Sequence, residues 1–303
     1  VRREPRHSPE KELIEIPAVE IEPATAFEDD GAFFGAAAKL WFTLRIGIVV
    51  WHRQYTHTLA EFRNKPGYVE HVWYPEAIEP MTSDDERGQP SLRGSPDKFL
   101  QRVSMALMPK PELHEQLHAA AFGYARSFSS FASESALTSC VEAIERLLVA
   151  FEADYGLTRA LVERKDWGRT AKRLKAVVNS EGWSRPVAAA AKRFLVSPPT
   201  LSLQDRIERM ARSFRRRRGN KAASVFEGIE GMVQLRNTIV HGRKAEDHQL
   251  LYIETVRSRA LFEQLFVDYL GVRRVVEVSG AAEVVLAQYE YLRSPAGDAS
   301  VAV

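Results

Sequence analysis

Apolar residues recur at helical spacing through the second half of the chain. Leu137, Cys140, Val141, Ile144, Leu147, Leu148 and Phe151 make one stripe, which predicts an amphipathic helix with Ser133 or Ser135 as its N-cap. Further helices are predicted over about residues 159–179, from near Pro186, and over about 203–217 after the Pro198-Pro199 break. A helix from about Ala222 to His241 follows, with Gly242 as its left-handed stop, and a long helix covers about 247–270. The first third reads differently. Residues 33–44 look helical, Leu44 to Trp51 (LRIGIVVW) is β-branched and reads as a strand, and Tyr68 to Tyr74 is a weaker strand. Residues 79–97, rich in Pro, Gly, Asp and Ser, mark a loop and a domain boundary. The predicted fold is therefore mainly α. A tail (1–29) leads into a small α/β module (30–108). A helical bundle (109–271) follows, then an extension (272–303) with a short β-like run, VRRVVEV, and one more helix.

Composition narrows the function classes. Of 303 residues, 45% are hydrophobic and 27% charged, as in ordinary globular proteins. Lys and Arg total 42 against 40 Asp and Glu, so any case for nucleic-acid binding must rest on local clusters. The single cysteine, Cys140, excludes an intrachain disulfide framework and a Cys-based zinc site, and fits the reducing cytoplasm. Phe33 to Trp51 is interrupted by Lys39 and Arg45 and reads as a poor membrane span, and no signal-peptide pattern opens the chain. No membrane partner is expected.

The first chemical candidate is Arg236-Asn237-Thr238-Ile239-Val240-His241-Gly242. Val225, Ile229, Met232, Val233 and Val240 form the apolar stripe of the predicted helix, and Arg236 falls inside it. His241 lines up with Glu230, Gln234 and Asn237 on the neighbouring polar face. Five residues at about 100° each put Arg236 and His241 roughly 140° apart. An arginine on an apolar stripe needs a partner or a task, because an unpaired buried charge is costly. The structural reading pairs Arg236 with Glu142 or Glu145 and makes His241 a helix C-terminal cation.

This motif closely resembles the Arg-polar-x-x-x-His motif of HEPN domains. The preceding SALTSCVEAIERLL and RTAKRLKAVV stretches follow the same order of helices, over about residues 112–270. The likeness is greatest to ApeA-type HEPN families, in which a divergent N-terminal module precedes the helical domain. The resemblance implies a metal-independent endoribonuclease with Arg236 and His241 as the catalytic pair, Asn237 in support and a composite site shared by two protomers. It implies no cofactor, and RNA as the partner; the alternative within the same family is a non-catalytic module that binds RNA or nucleotide or serves as a dimerisation scaffold. The role expected is abortive infection or toxin action, with the N-terminal module as sensor or target selector. Some HEPN toxins carry a modified Tyr two residues after the His; here that position is Arg243. In the mechanism expected, the 2′-hydroxyl attacks the adjacent phosphate. His241 moves protons as general base or acid, a role that imidazole suits near neutral pH. Arg236 stabilises the developing charge, Asn237 fixes the imidazole, and Glu145 orients Arg236 or His241.

Two other features compete for attention. His114-Glu115-Gln116-Leu117-His118 is a formal H-E-x-x-H, which could hold zinc with Glu115 as base and Glu142 or Glu145 as third ligand. Its plainer reading is two solvated histidines on a helix whose core face is Leu113, Leu117 and Ala120. Arg206, Arg209, Arg212, Arg215, Arg216, Arg217, Arg218 and Lys221 form a basic run directly before the motif helix. They would hold RNA phosphates, or else form a solvated face.

Overall fold

The computed structural model describes residues 30–52, 60–65, 68–73, 92–128, 133–218 and 229–278. The elements run α1 (Asp30–His52), β1 (Ala60–Lys65), β2 (Tyr68–Trp73), β3 (Leu92–Gly94), α2 (Pro96–Leu107), a 3-10 turn (Pro111–Leu113), α3 (His114–Arg126) and α4 (Glu134–Asp154). They continue with α5 (Arg164–Ser180), α6 (Arg185–Phe194), α7 (Leu203–Arg218), α8 (Ile229–Val240), α9 (His248–Leu270) and β4 (Val276–Val278). The protein is mainly helical, as its periodicity predicts. The tail (1–29), the first turns expected from Ala222 and the helix expected after residue 278 lie outside the described residues.

Residues 1–38 and 39–303 form two compact units. In the first, the described residues are the opening turns of α1, where the Phe33 and Phe34 rings lie 5.3 Å apart. In the second, the core is centred on α4 and α9. Helix α3 packs along α4, while α7 and α8 pack against both α4 and α9. The stripe read from the sequence is the buried face of α4, and Ser133 Oγ accepts from the Ala136 amide as its cap. Helix α9 is buried on nearly all sides, including Glu254, Arg257, Glu263 and Asp268. These groups are paired within the bundle: Arg257 with Glu254 at 3.0 Å, Arg273 with Asp268 at 2.8 Å, and Glu263 with the hydroxyl of Tyr124.

Two expectations for the first third are corrected. Leu44 to Trp51 is not a strand but the C-terminal half of α1. Ile46, Val49 and Val50 fall at i, i+3 and i+4 and are buried, so core packing outweighs the β-preference of the branched side chains. The boundary expected at residue 108 is not a break in the core, because Phe99, Val103 and Leu107 of α2 share one apolar cluster with Leu117 of α3 and Leu261 of α9. Strand β2 does form, antiparallel to β1. The VRRVVEV run supplies β4, which pairs antiparallel with β3. By length and composition, Ala32–Trp51 is the one stretch among the described residues apolar enough to cross a membrane, and its later residues Ile46, Val49, Val50 and Trp51 are buried in the core.

Between α4 and α7, the α5–α6 hairpin stands apart from this core. Neither helix contributes a residue to the core cluster, and α6 buries none at all. Its two ends are stitched together by an antiparallel bridge between Ala160 and Thr200, with Leu161 N–H donating to the Pro199 carbonyl and Leu201 N–H to that of Arg159, both at 2.8 Å.

Candidate active site

The end of α8 is held by backbone geometry. Gly242 has φ +78°, its N–H donates to the Ile239 carbonyl at 2.9 Å, and the Arg243 N–H donates to the Thr238 carbonyl at 3.1 Å. This is the glycine-closed helix terminus that the sequence predicts, and it makes His241 the C-cap residue. The following loop is pinned in turn. Glu134, at the start of α4, accepts from the Ala245 amide at 2.7 Å, and Asp247 caps α9 by accepting from the Leu250 amide at 2.9 Å. The exposed imidazole of His241 therefore sits on a fixed main chain at the bundle surface.

Arg236 lies one turn earlier and is half-buried. Its Nη2 donates to Glu145 Oε1 of α4 at 3.3 Å, and its Nη1 donates to Asn237 Oδ1 at 3.2 Å. The partner on α4 is thus Glu145; Glu142 is exposed. Arg236 Nε is buried without a hydrogen-bond partner among the described residues. The Asn237 side chain holds the guanidinium, and among the described residues no side-chain hydrogen bond joins it to His241. Its main-chain carbonyl accepts the His241 N–H at 3.0 Å. Gly231 has a partner inside the same chain, since a Cβ there would stand 3.3 Å from Glu254 Oε1 of α9. Close approach of α8 to α9 accounts for this glycine.

The two histidines of the H-E-x-x-H segment are not a solvated pair. His114 is buried, stacks on Phe42 with ring centroids 5.5 Å apart, and its Nε2 lies 2.8 Å from the Leu107 carbonyl, which fixes that nitrogen as a donor. His118 packs between Phe42 and Phe122, at 4.7 and 4.1 Å. Burial, and then the charge of Arg45, push its pKa down to about 4. Among the described residues no group of three His, Cys, Asp or Glu side chains is placed to hold a metal ion. The signal for this was present: α1 is rich in aromatics, but its pairing with α3 is a long-range contact that spacing does not reveal.

The basic run divides. Arg206 and Arg209 do not face solvent as a phosphate comb. Both close on Glu152, a buried carboxylate of α4, together with Arg159 from the root of the hairpin. The contacts are 2.8 Å from Arg206 Nε, 2.7 Å from Arg209 Nη2 and 2.7 Å from Arg159 Nε. Arg209 Nη1 also donates to the Thr158 carbonyl at 2.8 Å. Burial alone would raise the Glu152 carboxyl, but the hydrogen bonds from Arg206 and Arg159 outweigh it and hold its pKa below the ordinary 4.5. The sequence held this signal, since Arg206 precedes buried Met210 by four residues and Glu152 follows buried Leu148 by four. Arg212 is exposed. Arg215, Arg216, Arg217 and Arg218 complete α7, but their side chains, and all of Lys221, lie outside the described residues.

The chain matches no protein-family model, no curated protein and no solved structure.

Proposed function

We propose that the chain is a metal-independent endoribonuclease of HEPN type, acting through Arg236 and His241. One observation carries the reading. A single helix end presents an exposed imidazole on a locked main chain, one turn beyond a guanidinium held from behind by Glu145 and Asn237. Those bonds use two of the five guanidinium donors, so both terminal nitrogens keep an N–H for a phosphate. His241 takes the proton of a 2′-hydroxyl, and the oxygen attacks the adjacent phosphorus. The bond to the 5′-oxygen breaks, and that oxygen leaves with a proton from a second acid. The products are a 2′,3′-cyclic phosphate and a 5′-hydroxyl. Arg236 and His241 lie on different sides of one helix, so the second acid is assigned to His241 of a partner copy across a two-fold axis. Glu145 and Asn237 are positioning residues for Arg236. An antiviral or toxin role follows from the motif's resemblance alone.

The test uses end-labelled RNA in EDTA. Wild type yields cyclic-phosphate ends, the Arg236→Ala/His241→Ala double variant yields none, and a 2′-deoxy substrate is not cut. Cleavage of the deoxy substrate overturns the reading. The Arg236–Glu145 pair also favours a second reading, in which Arg236 only staples α8 to α4. In that case Arg236→Ala and Glu145→Gln lower stability and touch no activity.

A further inference from the structure

The excess charge of this protein is concentrated in the hairpin. Residues 159–201 hold ten Lys and Arg against three Asp and Glu, so the rest of the chain is net acidic. Arg159 is spent on Glu152 and Arg169 on Asp166, at 2.6 Å, while most of the others face outward. Exposed apolar side chains concentrate in the same place. Leu174, Val177, Trp183 (47% exposed), Val187, Phe194 (83%) and Val196 (73%) all belong to it. A folded domain rarely leaves so much apolar surface uncovered beside so many cations without using it.

The two properties meet in a cleft of about 620 Å³ between α5 and the segment after α6. Arg164, Lys172 and Lys175 fall on one stripe of α5, eight and eleven residues on from the first. Trp167 stands beside them, and Leu195 and Val196 form the opposite wall. The indole Nε1 of Trp167 is buried and has no hydrogen-bond partner among the described residues.

We infer that the α5–α6 hairpin is a binding arm for single-stranded nucleic acid. The cleft seats one nucleotide with its base against Trp167 and its phosphate among Arg164, Lys172 and Lys175. The strand runs on along α5, whose 17 residues span about 25 Å. Cations beside an aromatic wall match a ligand that alternates phosphates with flat bases. A second copy of the arm would bring like charges together, which disfavours arm-to-arm pairing. Stacking and charge do not read the sugar, so RNA and DNA strands bind alike. The inference stands apart from the cleavage chemistry, since none of its residues belongs to α8.

Binding of labelled twelve-residue oligo-U and oligo-dT to the full chain, followed by anisotropy at several salt concentrations, tests it. Replacing Arg164, Lys172 and Lys175 by Ala should weaken both oligonucleotides and reduce the salt slope by about two. Trp167→Ala should cost about tenfold or more in affinity with the slope unchanged. The three cation sites contribute nothing to the core, so the first variant keeps the fold even if Trp167→Ala does not. Unchanged affinity and slope in the cation variant overturn the proposal. So does polyglutamate that competes as well as the oligonucleotides, which would make the arm a docking site for acidic protein. Loss of binding in the cation variant, with His241→Ala binding normally, supports the arm whatever the outcome for catalysis.

Discussion

Helices α4 and α5 both carry an apolar stripe, yet the fold treats them oppositely. Helix α4 buries Leu137, Ile144, Leu147, Leu148 and Phe151 against α3, α7, α8 and α9. Helix α5 buries only Ala171 and Val178, and leaves Leu174 and Val177 exposed. The contrast extends to charge. The bundle hides Glu254, Glu263 and Asp268 with a partner each, whereas the arm shows its cations to solvent. A stripe tells that a helix has an apolar side; it does not tell whether anything in the same chain covers that side. In the function proposed above, the helix end at the bundle surface would cleave a strand and the uncovered basic arm would hold it.

The largest contrast in stability comes from removing one aromatic from each region. Phe266→Ala in the fully buried centre of α9 should cost about 3–5 kcal/mol of unfolding free energy, whereas Phe194→Ala in the arm should stay within about 0.5 kcal/mol. Chemical denaturation of both variants checks this. Equal costs would mean that the arm is packed as the bundle is.

Next comes the joint between the regions. Glu152→Ala leaves Arg206 buried without its carboxylate and should cost about 3 kcal/mol, with trypsin cutting first within residues 159–201. Acid should act on the same joint. The Glu152 pKa is held below its ordinary 4.5, so its contribution is fully present above that value and is lost as pH falls through the lower folded-state value. Uniform cleavage along the chain would show that Glu152 does not root the arm.

A smaller effect separates α1 and α3 from both. His118 titrates near 6.5 unfolded and about 4 folded. The unfolded state therefore binds the proton more readily between those values, and stability falls as pH drops across that window. His118→Phe should flatten this part of the stability profile. An unchanged slope from pH 6.5 to 4 in the variant would place the titration elsewhere.

The smallest structural effect is at the helix end. Gly242→Ala forces a Cβ into left-handed backbone and should cost about 1 kcal/mol, while cleavage falls further than stability because His241 is displaced. Cleavage at the wild-type rate in a folded Gly242→Ala protein would show that the cap does not position His241.

What the sequence displayed were local signals. The α4 stripe, the Ser133 cap and the glycine stop after His241 each depend on residues a few positions apart. Glu145 also came from periodicity, since it borders the α4 stripe. What escaped were contacts made across the chain. The Phe42 stack that absorbs His114 and His118, the closure of Arg206 and Arg209 on Glu152 and the cleft around Trp167 all join distant segments. In LRIGIVVW the local β-preference was real, and burial of Ile46, Val49 and Val50 overrode it.

His241→Ala is the deciding substitution, because its site is exposed and its loss leaves the core untouched. With circular dichroism and melting unchanged, the proposed endoribonuclease activity requires cleavage of labelled RNA in EDTA to drop about a hundredfold or more. Cleavage at the wild-type rate by the folded variant would contradict it.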